Sequence, residues 1–435
     1  MKKGILAGIL AGVLSVCMAL PAAAVTVDFH GKALMGGLGA SDARVLGGDD
    51  TDSAFVGAGK MRFRAEVGTD DGRAKMVYGF ETGANNFGGS EWDYSGDSTD
   101  FENRFAYIQS TLPGMSDNIY ARAGLQKTGV NQWLWTETAA GLTLHGKGNV
   151  NWAAGWFRGS EDGFDDDNPD NIEDSDLFVV KGDFSPASGV ALGGFGVYAM
   201  DFGGRRDADT DGDGTDDPAI EQGADQYWLG LTGALDGAVF ASGDLIYQGG
   251  DAGPESQDLD VSAYLANATV GMNVNDSSKV SFNALYVSGD DDDNDGDQEA
   301  FQSIDADVDV GQIFFKDSLA ASLDRYVDYQ FGEYQSYDEM RNRGLINLAL
   351  EGEMQVDAKN NLRGAVRYLA TAEDDPLSGE SDLGYEFDLW YSYKMNKNLT
   401  LKLEGAYLIS GDLAETMFED DDNVYQFGAG AVFAF

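Results

Sequence analysis

The chain has 435 residues, of which 75 are acidic and 28 are basic, and its formal net charge is −47 at pH 7. This charge excludes nucleic acid as a natural partner, because nucleic-acid phosphates would be repelled. A hydrophobic fraction of 43% and an aromatic fraction of 11% exclude a disordered acidic chain.

The N-terminus has the pattern of an export signal. Met1–Lys3 is basic, Gly4–Leu20 is apolar, and Ala22–Ala24 offers a cleavage site of small residues. We therefore predict a signal peptide over residues 1–24 and one domain over residues 25–435. Lipidation at Cys17 is the alternative, and the bulky Val16 disfavours it.

The first clear strands lie within Lys60–Gly83. Met61 and Phe63 alternate with basic residues such as Arg62, and Asp71–Gly72 then forms a tight-turn signal. No later segment reaches the roughly 18 apolar residues that a membrane helix needs. If the protein crosses a membrane, we therefore expect it to do so with strands.

Short and long connections alternate along the chain. Short turns are predicted near 69–72, 113–117, 146–149, 185–189, 236–237, 274–278, 355–361 and 395–397. Long loops are predicted near 39–54, 84–100, 127–138, 159–175, 203–223, 249–258, 289–341, 372–382 and 411–423. This rhythm predicts an all-β fold, a transmembrane antiparallel β-barrel with periplasmic turns, extracellular loops and 18 strands, located in the cell outer membrane.

Two regions leave a 16-stranded barrel open as the alternative. The sixth and seventh strands, near Ala139–His145 and Asn149–Arg158, have weak patterns. The loop at 289–341 contains Leu319, Leu323 and Tyr326 at the spacing of a short helical turn.

The last strand, Asn423–Phe435, is apolar on one face and small or polar on the other. We expect it to close the barrel by pairing with Val25–Phe29, and to present Phe435 to the barrel-assembly machinery. A soluble two-sheet sandwich is the alternative fold, in which the apolar faces would pack on each other.

The acidic residues concentrate in the predicted outer loops. Two runs have the spacing of Asp/Gly calcium loops, and they comprise Asp209, Asp211, Asp213 and Asp217, then Asp291, Asp293 and Asp295. The alternative is a solvated acidic loop, or one that shares divalent cations with lipopolysaccharide phosphates. We expect no cofactor other than such Ca²⁺.

Basic residues occupy the predicted inner face of five neighbouring strands, and they are Lys60, Arg62, Arg64, Lys75, Arg104 and Arg122. A static network with Glu66, Glu81 and Glu102 is the alternative role. If the 127–141 loop folds into the lumen, it places Trp133, Trp135 and Glu137 opposite this wall and forms a constriction. The two tryptophans could stack on sugars or anchor the loop.

Three stretches resemble known porins: "FETGANNFGG" (Phe80–Gly89), "NQWLWTETAAGLT" (Asn131–Thr143) and the closing strand. They are similar to the homotrimeric outer-membrane porins of sulfate-reducing bacteria and, more generally, to the general bacterial porins. The resemblance implies passive diffusion of small hydrophilic solutes through a trimer, with Arg62, Arg64 and Arg104 as the basic wall and Thr128–Gly141 as the inward loop. A count of 18 strands departs from the sixteen of the general porins.

The sequence bears on three other functions. An outer-membrane enzyme is disfavoured, because the two histidines, His30 and His145, lie in no catalytic pattern. A substrate-specific channel for sugars or carboxylates is the main alternative to a diffusion porin. A structural, cation-binding surface barrel is the third.

Overall fold

The computed structural model describes residues 25–46, 52–86, 100–160, 175–200, 225–252, 259–291, 296–306, 308, 310–314, 317–323, 331, 340, 342–418 and 423–435. The predicted signal peptide lies outside these residues. So do the candidate calcium ligands Asp209, Asp211, Asp213, Asp217, Asp293 and Asp295.

The first half of the described chain contains nine strands: β1 (Val25–Ala40), β2 (Ala54–Thr69), β3 (Ala74–Asn86), β4 (Asp100–Thr111), β5 (Ile119–Lys127), β6 (Thr138–Gly146), β7 (Val150–Ser160), β8 (Ser175–Ala187) and β9 (Val190–Met200). The second half contains ten more: β10 (Gln226–Leu235), β11 (Val239–Ala252), β12 (Leu259–Asn275), β13 (Ser278–Val287), β14 (Asp297–Gln298), β15 (Leu345–Gln355), β16 (Asn360–Ala370), β17 (Asp382–Lys394), β18 (Leu399–Ser410) and β19 (Asn423–Ala434).

Eighteen of these strands form one closed antiparallel barrel. Each pairs with its neighbours in chain order, and β19 pairs back onto β1. The two-residue β14 lies outside this ring and pairs in parallel with β12, so β13 pairs directly with β15. The predicted 18 strands are therefore confirmed, and both the 16-stranded barrel and the sandwich are wrong.

The short turns follow from local chemistry. At the first hairpin the Thr69 hydroxyl donates to Asp71, and the Arg73 backbone N–H also donates to Asp71. Gly72 has φ +67°, a left-handed conformation that glycine adopts without strain. The Asp–Gly turn thus reverses the chain where the sequence predicts it.

The closure of the barrel differs from the expectation in its register. The terminal strand pairs with Lys32–Ala40, not with Val25–Phe29, which pairs only with β2 among the described residues. Strands in a closed barrel are tilted and staggered, so the two ends of the ring meet with an offset. Phe435 exchanges two backbone hydrogen bonds with Gly31 at the end of this seam, each 3.0 Å long.

The outer face of the wall is apolar. On the terminal strand Tyr425, Phe427 and Phe433 are exposed, and Leu389 and Leu403 are exposed on neighbouring strands. Their neighbours at alternate positions face inward. A wall whose backbone groups are all paired and whose outside is apolar is the kind of sheet that hydrocarbon can surround.

The interior is not uniformly polar. Toward the end with the long connections, the inner faces carry a buried apolar cluster that includes Leu38, Phe157, Leu177, Trp228 and Ile246. Segments of the long connections pack against this cluster from inside the ring. The interior at this end is therefore a packed core, whereas the sequence predicted a wet one.

Helical structure is sparse. The described residues contain a 3-10 turn (Ala43–Leu46) and two short helices (Leu319–Ser322 and Asp412–Met417). The first of the short helices begins at Leu319, where the sequence indicates a helical turn. No helix among the described residues is long and apolar enough to cross a membrane.

Candidate functional site: a basic wall and two inward loops

The basic residues of β1–β5 form a continuous inner surface, which we call the basic wall. Strand register brings them together, because Lys32 lies opposite Arg62 and His30 lies opposite Arg64. Lys32 is not among the predicted wall residues, although it lies two positions after His30 and therefore on the same face. Lys402 on β18 extends the wall around the seam and lies within electrostatic range of Lys32.

Acidic partners hold most of the predicted basic side chains in place. Arg62 and Lys60 both pair with Glu81, and Lys60 Nζ lies 2.6 Å from Glu81 Oε1. Glu66 accepts contacts from Arg64 at 3.2 Å and from Lys75 at 2.7 Å. The network is therefore ordered, yet the Arg62 and Arg64 side chains remain 48% and 40% exposed and can meet a solute.

Arg104 connects the wall to the loop that follows β5. Its guanidinium lies 3.1 Å from Glu137 and 3.4 Å from Glu102. Glu137 comes immediately before β6, so this pair joins the β5–β6 loop, residues 128–137, to the wall. Of the three loop residues predicted to face the wall, Glu137 contacts it, through Arg104.

Trp133 and Trp135 are anchors of the β5–β6 loop. Trp133 and Trp135 are only 6% and 3% exposed. The Trp133 indole N–H donates to Asp244 at 3.2 Å, and Trp135 packs edge-on against Phe157 with ring centroids 5.2 Å apart. Burial removes both rings from the solute path, so the stacking track for sugars has no support in this geometry.

Asp244 shows how far the β5–β6 loop reaches. It lies on the inner face of β11 and also accepts a 2.9 Å hydrogen bond from the Asn131 amide. A loop that leaves β5 and binds β11 must extend into the ring. The sequence predicts the inward loop, but it cannot identify Asp244, which lies more than one hundred residues away in the chain.

A second inward segment comes from the long connection between β13 and β15, residues 288–344, which we call the β13–β15 connection. Its residues 301–306 lie against the β5–β6 loop: Ser303 donates to the Trp133 carbonyl at 2.7 Å, and the Ile304 N–H donates to the Leu134 carbonyl at 2.9 Å. The Trp228 indole on β10 donates to the Gln302 carbonyl at 3.1 Å.

The same connection then reaches the far side of the ring. Glu386 on β17 accepts hydrogen bonds from the backbone N–H groups of Gln312 and Ile313, and Glu404 on β18 accepts one from that of Leu319. A segment that binds β10 and later β17 crosses the inside of the barrel. Two loops therefore narrow the interior, where the sequence identified one.

A cleft of about 360 Å³ remains between the basic wall and the β5–β6 loop. Cationic side chains dominate its lining, which comprises Lys32, Arg62, Arg64, Arg104 and Lys127 together with His30, the loop residues Thr136 and Glu137, Thr138 at the start of β6, and Gly31, Phe63, Phe80 and Phe105. Among the described residues that line it, Glu137 is the one acid. The cleft is therefore suited to a small anion that carries polar groups.

Three predicted wall residues line no part of this cleft: Lys60, which pairs with Glu81, and Lys75 and Arg122. Lys75 is paired with Glu66. Arg122 donates to Gln109 at 2.8 Å and lies over the rings of Tyr107 and Tyr120. Lys75 and Arg122 lie toward the turn end of the barrel, because β3 and β5 each begin directly after a short turn. The cleft thus uses only part of the predicted basic set.

No group of three or more metal-ligating side chains occurs among the described residues. Asp291 is described and exposed, but the other candidate calcium ligands are not. Calcium binding by the acidic loops therefore stays a prediction.

Known proteins match this chain in structure but not in sequence. No protein-family model matches it, and no curated protein matches it. Acinetobacter baumannii OccAB2 is similar with a TM-score of 0.56 and 12% identity, over 94% of this chain and 98% of that one. Pseudomonas aeruginosa OccK8 (OprE) is similar with a TM-score of 0.57 and 10% identity, over the same shares.

A third similar structure is Pseudomonas aeruginosa OccK2 (OpdF), solved in complex with glucuronate, with a TM-score of 0.55 and 12% identity over 94% of this chain and 98% of that one. The resemblance to porins of sulfate-reducing bacteria, and the homotrimer it implies, stay predictions. At these identities the likeness concerns architecture alone: the chain has the barrel fold of the Occ outer-membrane porins.

Proposed function

We propose that the protein is an outer-membrane channel selective for small carboxylated solutes. The observation that carries this proposal is the cleft inside the barrel, where five lysine and arginine side chains face a single loop carboxylate. Cations aligned along a narrow passage attract anions and lower their cost of leaving bulk water. Arginine also binds carboxylates with two parallel hydrogen bonds.

The similar OccK2 structure holds glucuronate, a sugar carboxylate, and this supports the same solute class here. The exposed fractions of Arg62 and Arg64 leave donor groups for such a ligand even while Glu81 and Glu66 bind them. We place the protein in the outer membrane because its outside is apolar and its fold matches outer-membrane porins.

Liposome swelling with purified protein tests this proposal. Uptake of glucuronate should exceed uptake of glucose, which has nearly the same size and lacks the charge. The Arg62→Gln, Arg64→Gln variant should lose this preference and keep glucose uptake. Equal uptake of both solutes by the unmodified channel would refute selectivity.

A general diffusion porin is the second candidate, as the sequence resemblance implies. It predicts uptake graded by size alone, without block of ion current by glucuronate. The crossing of the interior by two loops favours the selective channel, since a narrow path brings each solute into contact with the wall. The homotrimer is tested separately by the oligomer size on an unheated gel.

A further inference from the structure

Two buried carboxyl groups on β17 face each other without a donor between them. Glu386 is 0% exposed and Asp388 is 5% exposed, and both side chains point inward because they are two residues apart on one strand. Their carboxyl groups lie within hydrogen-bonding reach of each other. The oxygens Glu386 Oε2 and Asp388 Oδ1 accept no hydrogen bond from any described residue.

The remaining oxygens of the pair are fully used. Glu386 Oε1 accepts the backbone N–H groups of Gln312 and Ile313, at 2.6 and 3.2 Å. Asp388 Oδ2 accepts Arg367 Nε at 2.8 Å, and the same guanidinium also binds Glu351 at 2.8 Å. One cation therefore serves three carboxyl groups.

Among the described residues, no second cation lies at the positions packed directly on this pair. Strand β18 presents Leu408 and Ala406 at the paired positions. The β13–β15 connection covers Glu386 with backbone and with the uncharged Gln312. The helix Asp412–Met417 packs on β17 through buried Leu413, Ala414 and Met417. Two ionised carboxylates at neighbouring inward positions repel each other strongly in a buried site.

We propose that Glu386 and Asp388 share one proton, and that this proton keeps residues 311–314 of the β13–β15 connection docked on the wall. The shared proton gives one carboxyl a donor for the other and removes the second negative charge. When it is lost, the pair requires water. Water can reach the pair only if the covering segment moves away, so alkaline pH undocks the segment and widens the passage.

The covering segment fits the pair closely, which makes it sensitive to this charge. A Cβ added at Gly311 would lie 2.7 Å from Glu386 Oε1 and 3.1 Å from its carboxyl carbon. Phe314 continues the contact by packing against Phe418, with ring centroids 5.8 Å apart. Displacement of Gly311 would therefore also pull Phe314 from its apolar site.

Two readouts test this proposal, and they separate it from the proposed function. The first is single-channel conductance between about pH 6 and about pH 10, which rests on the channel function. The second is the mobility of a spin label at Ser322→Cys, which needs no transport. Ser322 is exposed, and the only native cysteine is Cys17, in the predicted signal peptide.

We expect a reversible rise in conductance and label mobility as pH increases. Asp388→Asn should abolish both rises, because its amide donates permanently to Glu386 and its oxygen still accepts from Arg367. Glu351→Gln is the matched control and should keep both, since it removes an acidic group that also binds Arg367 but leaves the pair intact. Gly311→Ala should give the mobile, high-conductance state at every pH.

A mobility profile that stays flat with pH in the unmodified protein would overturn the shared proton. So would an Asp388→Asn protein that keeps the transition. If label mobility changes with pH while no conductance is seen in any variant, the docking of residues 311–314 by the shared proton is supported and the channel function is refuted.

Discussion

Reversal of the exposed charges in the basic wall is the most direct test of how the wall acts. The Arg62→Glu, Arg64→Glu variant changes the local charge by four units. At about 8 Å in a water-like dielectric each unit contributes ~0.5 kcal/mol to the energy of a monovalent ion, and screening at about 0.1 M salt roughly halves this. An anion and a cation thus shift by ~1 kcal/mol each in opposite directions.

The expected result is a change of roughly 20- to 30-fold in the anion-to-cation permeability ratio, toward cations. Reversal potentials across a planar bilayer with a salt gradient measure this ratio. The barrel should survive, because both arginines are substantially exposed and such ion pairs contribute only ~0–1 kcal/mol.

Arg73→Glu provides the matched control. Arg73 lies in the β2–β3 turn, pairs with Asp117 at 3.4 Å and is 50% exposed. Its reversal changes the charge by two units outside the cleft, and the permeability ratio should stay near that of the unmodified protein. An unchanged ratio in the double variant, or an equal shift in Arg73→Glu, would refute the assignment of the wall to the ion path.

Three further predictions concern the loops and turns. Asp244→Ala leaves the buried Trp133 indole N–H without its acceptor, which lowers the stability of the docked loop by about 1–3 kcal/mol. The β5–β6 loop should then loosen and single-channel current should become noisier. Asp244→Asn should have a smaller effect on both. The hydrogen bonds from the Thr69 hydroxyl and the Arg73 N–H hold the pKa of Asp71 below its usual value. The Asp71 carboxylate therefore stabilises the turn fully above its unfolded-state pKa, and this stabilisation is lost as pH falls through the folded-state pKa. Amide exchange at Gly72 should quicken in acid, and Asp71→Asn should remove that dependence. Burial, together with Asp291, Asp374 and Glu299, raises the pKa of Glu373 in the loop after β16. The stability that Glu373 contributes is therefore present below its unfolded-state pKa and is lost as pH rises through its folded-state pKa. Glu373→Gln should raise the melting temperature at neutral pH and leave it unchanged in acid, and an equal effect at both pH values would contradict this cause.

The strand architecture could be predicted because it depends on local patterns. Alternation such as Met61, Arg62, Phe63 assigns each side chain to a face, and Asp71–Gly72 marks a turn without reference to the rest of the chain. The weak patterns of β6 and β7 still form strands, because their neighbours supply the backbone partners that a closed ring needs.

The candidate site was only partly predictable. The basic residues of β2 follow from alternation, and Glu137 was placed opposite them by the assumption of an inward loop. Neither Asp244 nor the pair Glu386 and Asp388 has a local signal, since their roles depend on loops that arrive from distant parts of the chain. Lys32 had such a signal and was missed.

By itself the sequence determined an 18-stranded wall with an apolar outside and a basic stretch within. Hydrocarbon outside the ring and backbone pairing along the strands require side chains to alternate between apolar and polar, and this alternation is visible in each short stretch of sequence. Only the tertiary structure decided what fills the ring. The β13–β15 connection crosses the interior because buried donors and acceptors on β10, β17 and β18 bind its backbone. Such long-range contacts produce no periodic pattern in the sequence.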